Sequence, residues 1–171
     1  MIRTRTKMDE PYGPTNKYVA HYAAFDNRKD IMQLLWDHGY DLDATNSEGV
    51  TPMMIAIAQG HTELVKWLVE RGCDVNARTK RGLTPLLVAS SSDSLELANV
   101  LLEHGASVNA RDTDGHSALI NFAYHGNEAA LRHLLQLGAN VHAKNAIGID
   151  AMHNATARNH TACVSLLASY I

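Results

Sequence analysis

Gly49-Val50-Thr51-Pro52-Met53-Met54-Ile55-Ala56-Ile57-Ala58-Gln59-Gly60-His61 runs on through Leu64-Val65-Lys66-Trp67-Leu68-Val69-Glu70-Arg71-Gly72 to Asp74-Val75-Asn76-Ala77. Thr51-Pro52 reads as a helix start, because the hydroxyl can accept from a free backbone N–H and proline misses no donor at the first helical position. Met53, Ile55, Ala56 and Ile57 supply the apolar side of that helix, and Gly60-His61 turns the chain. Leu64, Val65, Leu68 and Val69 then follow the spacing of a second amphipathic helix, which Gly72 ends by its freedom to take positive φ. The unit recurs. Gly49 has counterparts at Gly82, Gly115 and Gly148, each 33 residues on, and Gly72 has counterparts at Gly39, Gly105 and Gly138 on the same period. Two glycine ladders in one frame imply stacked supersecondary units, none of which can bury its apolar face alone.

The repeated unit resembles the ankyrin repeat. Thr51-Pro52, Thr84-Pro85, Gly60-His61, Gly105-Ala106, and the Val-Asn-Ala of Val75-Asn76-Ala77 and Val108-Asn109-Ala110 match that family's consensus. The resemblance implies an all-α solenoid of helix–turn–helix units joined by hairpin loops. Five units follow from the register, at about 13–45, 46–78, 79–111, 112–144 and 145–171, behind a flexible tail at 1–12. The first unit departs at its helix start, where Tyr18-Val19 replaces Thr-Pro. The third carries Ser90-Ser91-Ser92-Asp93-Ser94 where Gly-His would stand, and serines that compete for local backbone bonds predict a looser or differently shaped turn. In the fourth, Phe122 stands where the other units have Ala23, Ala56, Ala89 and Ala155.

A net charge of −3 gives no general pull toward nucleic acid or an anionic surface. No apolar run approaches the ~20 residues of a membrane span, and Met1–Lys7 is basic without the apolar stretch of a secretory signal. Cys73 and Cys163 lie three units apart, well beyond the ~7 Å Cα separation that a disulfide allows. The expected setting is therefore reducing and cytoplasmic.

Ten histidines raise the question of a metal site. The register accounts for six: His21 and His153 follow the helix start, His61 and His160 sit in the inter-helix turn, and His38 and His104 precede a helix-ending glycine. His116, His125, His133 and His142 remain, all in the fourth unit, and they motivate a second reading as a ligand- or metal-responsive regulatory module. No paired metal-ligand spacing, phosphate loop or nucleophile elbow is present, so neither catalysis nor a cofactor is expected.

The resemblance implies a partner protein bound on a concave face made of hairpin tips and the exposed edges of the first helices. Unit by unit, the tips offer Glu48 and Val50, then Lys80, Arg81 and Leu83, then Asp114 and His116, then Ile147 and Ile149. The helix edges offer Phe25 and Asp26, Gln59, Ser91 and Ser92, Tyr124 and His125, and Arg158. Leu83, Ile147, Ile149, Phe25 and Tyr124 exposed together would exceed the scattered apolar residues of an ordinary surface. Arg78-Thr79-Lys80-Arg81 is the densest basic cluster of the repeats and suits an acidic partner surface. The isoleucines offer an alternative, association through an open C-terminal end; otherwise the chain is expected to be a monomer.

Overall fold

A computed structural model describes residues 18–171; the expected tail at 1–12 and the expected start of the first unit at 13–17 lie outside them. The first helices of the units are α1 (Val19–Phe25), α3 (Pro52–Ala58), α5 (Pro85–Ser91), α7 (Ala118–His125) and α9 (Ala151–Ala157). The second helices are α2 (Lys29–Asp37), α4 (Thr62–Glu70), α6 (Leu95–Glu103), α8 (Glu128–Gln136) and α10 (Thr161–Ala168). Both sets start every 33 residues, and among the described residues the only extended pairing is an isolated antiparallel bridge between Arg111 and Ser117.

Local chemistry sets the helix starts. The side chains of Thr51, Thr84, Ser117 and Asp150 each accept from the backbone N–H three residues on, at 3.3, 3.3, 3.4 and 2.8 Å. Tyr18 holds the same position before α1 and makes no such bond. Three residues later His21 is buried, with Nε2 bonded to the Val50 carbonyl at 2.9 Å and Nδ1 left without a partner. Tyr18→Thr is therefore expected to stabilise the first unit by ~1 kcal/mol, the usual worth of a hydroxyl cap. Urea denaturation followed by circular dichroism would show it as a higher midpoint.

The turns between paired helices contain a third ladder. Asn27, Gly60, Asp93, Gly126 and Asn159 all have positive φ, between 53° and 78°. The serine-rich turn of the third unit is accordingly not looser than the others. Asp93 N–H reaches Ser90 C=O and Ser94 N–H reaches Ala89 C=O, as Gly60 reaches Ile57 and His61 reaches Ala56. Asp and Asn tolerate the left-handed conformation through local hydrogen bonding, which lets them replace glycine there. Ser94 also caps α6 through its hydroxyl.

Stacking buries a continuous apolar ribbon. Ala23, Ala56, Ala89 and Ala155 are all buried, which lets first helices approach closely; Phe122 and Ala130 are fully buried too. Second helices contribute Met32, Leu64, Leu68, Leu97, Leu101, Leu131 and Leu167. Hairpin tips are joined by backbone bonds from Lys80 to Glu48, Thr113 to Arg81, and Ala146 to Asp114, at 2.7–2.9 Å. Asn76 bridges to the next unit by accepting from Ser107 N–H and donating to Gly105 C=O, and Asn109 does the same with Asn140 and Gly138.

The histidines of the register behave as expected with one exception. His61 and His160 bond Phe25 and Tyr124 carbonyls of the preceding unit, while His38 and His104 bond carbonyls of their own helices. His153 departs: its ring is exposed, and among the described residues no later hairpin lies beside it to supply the carbonyl that Val50 gives His21.

Candidate binding face

Every residue assigned to the face by register keeps solvent access. Phe25, Asp26, Glu48, Gln59, Lys80, Arg81, Ser91, Ser92, Asp114, Tyr124, His125, Ile147 and Arg158 are exposed, and Val50, Leu83, His116 and Ile149 are half-buried. Leu83 and Ile149 are thus less open than the sequence suggests. Their carbonyls close the hairpins onto Thr79 and Asn145 N–H, and each side chain precedes a cap that sits at the root of the following helix.

The structure brings six of these residues together. Ser91, His116, Tyr124, His125, Ile147 and Ile149 line an open groove of about 420 Å³ that crosses the third, fourth and fifth units. The remaining wall is Ile120, Asn121, Asn145 and Asn154, which the register reading did not select. A signal for two of them exists in the sequence. Position 22 recurs as Ile55, Val88, Asn121 and Asn154, so an apolar row turns polar in the last two units. The same row begins with Tyr22, exposed at 70% beside Phe25 at 54%.

Charges on the face are partly spent within the fold. Arg81 pairs with Asp114 at 3.1 Å, in an exposed contact whose worth is at most ~1 kcal/mol. Arg78 donates to the Arg111 carbonyl at 2.6 Å, and Arg111 in turn donates to the Lys144 carbonyl, so both guanidiniums tie units together. Of the basic cluster, Lys80 keeps an ammonium with no ion pair among the described residues. Tyr124 is sandwiched: the Arg158 guanidinium lies 3.4 Å from its ring centroid, and His125 meets it edge-on at 5.3 Å. This cation–π contact covers part of the ring, and Tyr124 stays 44% exposed.

Of the fourth-unit histidines His116 and His125 share the groove, and the four do not form one metal-ligand grouping among the described residues. Among the described residues the one grouping of metal-ligand types is Asp112, Asp114 and His116. Asp112 already accepts from Asp114 and His116 N–H through Oδ1, and its Oδ2 faces His116 Nδ1 at 3.2 Å. These are the bonds of a tight hairpin turn, and Asp114 is held by Arg81. Both cysteines are free and buried. Burial pushes the Cys163 thiol upward, and the Glu128 carboxylate adds to the shift, so the thiolate is disfavoured.

No helix of the described residues is long and apolar enough to cross a membrane. A search among curated proteins gives no match. The family model described as ankyrin repeats (3 copies) matches residues 20–112 and 73–145, which together span more than half of the chain. With the stacked helix pairs, hairpin ladder and helix caps already in place, the chain belongs to the ankyrin-repeat family, whose arrays are protein–protein interaction modules.

Proposed function

We propose that the chain acts without catalysis in the cytoplasm, holding or occluding a partner protein on the face of hairpin tips and first-helix edges, as an adaptor or an inhibitor. The observation that supports this reading is the convergence of side chains from three successive units on one open groove, lined in part by Tyr124 with Arg158 stacked on its ring. Aromatic and arginine side chains presented on a rigid scaffold are the usual anchors of protein interfaces. The stack fixes them, since each contributing helix is capped and each tip is bonded to its neighbour.

The test uses the whole chain as bait. Proteins retained from native lysate by the wild type are compared with those retained by a combined Lys80→Glu, Arg81→Glu, Tyr124→Ala, His125→Glu variant. Loss of specific capture by about tenfold or more, equivalent to ~1.4 kcal/mol, is expected with the melting temperature changed by only a few degrees. Equal capture by both proteins would place recognition elsewhere on the array.

A further inference from the structure

The groove has a chemical character of its own. None of its ten lining residues carries a carboxylate, ammonium or guanidinium. A charged side chain seated among these ten residues would lose hydration, and the cation beside them, the Arg158 guanidinium, already lies 3.4 Å from the Tyr124 ring centroid. The carboxylates of the hairpin that carries His116 are occupied: Asp112 by its own turn and Asp114 by Arg81.

Three asparagines give the groove its polar pattern, and the fold fixes the orientation of each amide. Asn121 donates Nδ2 to the hydroxyls of Ser90 and Ser91, which leaves its Oδ1 free. Asn154 donates Nδ2 to the Ile120 carbonyl, which likewise leaves an oxygen. Asn145 accepts from Ile147 and Ile149 N–H through Oδ1, which leaves an NH₂ with no partner among the described residues. The groove therefore offers two acceptors and a donor beside an apolar wall. A polypeptide backbone needs those partners, and a helix, whose N–H groups are already used, does not.

Spacing sharpens the match. Asn121 and Asn154 hold the same place in adjacent units, and packed helices lie ~8–10 Å apart. Three residues of polyproline II backbone advance ~9 Å and return to the same side. One N–H and the N–H three residues later can thus meet the two oxygens in turn.

We propose, resting on the protein-binding reading above, that this groove takes an extended, uncharged stretch of the partner, its backbone paired by Asn121, Asn145 and Asn154 and an apolar side chain seated against Tyr124, Ile147 and Ile149. The probe is a displayed library of short random peptides selected on the immobilised whole chain. Selected peptides are then titrated by fluorescence anisotropy against the wild type, Asn121→Leu, Asn154→Leu, a Phe25→Ala, Glu48→Lys variant on the same face outside the groove, and a Glu103→Lys control at the exposed end of α6, outside the face. Expected are sequences with no Asp, Glu, Lys or Arg at the contacting positions. Each asparagine variant should weaken binding about tenfold, as should N-methylation of either of two backbone amides three residues apart, while the Glu103→Lys control leaves it unchanged. Charged contact positions, helical peptides, indifference to N-methylation, or an empty selection would overturn the proposal. Peptides that respond only to the Phe25→Ala, Glu48→Lys variant would also overturn it while leaving the protein-binding reading intact. That reading fails separately, if capture from lysate ignores the whole face.

Discussion

Phe122→Ala is expected to destabilise the fold by ~3–5 kcal/mol, the range for truncating a fully buried ring. The ring occupies a first-helix position that is alanine in every other unit, yet it is completely enclosed. A phenyl group added to an interface shaped for methyl groups would ordinarily overpack it. The second helix of the same unit supplies the room. Ala130 is small and fully buried where the other units have Ile31, Leu64, Leu97 and Cys163. The two departures read as a volume exchange between α7 and α8 that keeps interior density while changing its shape. Ala130→Leu alone should then overpack, at ~1–3 kcal/mol. The double change should recover much of the combined loss, with a coupling energy of at least ~1 kcal/mol. Urea denaturation of the four proteins closes the cycle, and strictly additive losses would show that the residues do not share space.

The repeat itself was legible because its signals are backbone signals. Glycines at positive φ and hydroxyls or an Asp at helix starts are dictated by local geometry, so they recur in register and place the helix pairs of the described residues, with Tyr18 before α1 the exception. The inter-helix turns were half-hidden for the same physical reason. Asn27, Asp93 and Asn159 do glycine's work with different letters, and only their shared conformation reveals the ladder. Site chemistry was less readable because it depends on contacts about 33 residues apart. Arg78 in sequence is one member of a basic cluster; in the fold its guanidinium reaches the carbonyl of Arg111 and is consumed as a strut. Tyr124 and Arg158 were each assigned to the face, and their stacking on one another was not foreseeable from either helix alone. Asn121 and Asn154 look like polar interruptions of an apolar row until the groove shows what they face.

Gly115→Ala should cost about 3 kcal/mol and Gly138→Ala about 1, although the two glycines have nearly the same conformation, with φ of +78° and +83°. An L-residue at such φ carries a penalty of ~1–2 kcal/mol whatever surrounds it. Gly138 incurs that alone, because a Cβ there meets nothing within 4 Å. A Cβ at Gly115 would lie 2.7 Å from the Arg111 guanidinium and 3.0 Å from the Asn145 Cα. The guanidinium can swing aside, at the loss of its bond to Lys144, but the Asn145 backbone cannot move without straining the 2.7 Å bond from Ala146 to Asp114. Overpacking of this kind adds ~1–3 kcal/mol. The two ladders visible in the sequence therefore do different jobs, one ending helices in open space and the other letting consecutive hairpins touch. Gly148 separates these causes, since it holds the hairpin position with φ +83° yet has nothing within 4 Å. Gly148→Ala should behave like Gly138→Ala in urea denaturation. A loss as large as that of Gly115→Ala would mean that hairpin geometry, and not contact with the next unit, requires the glycine.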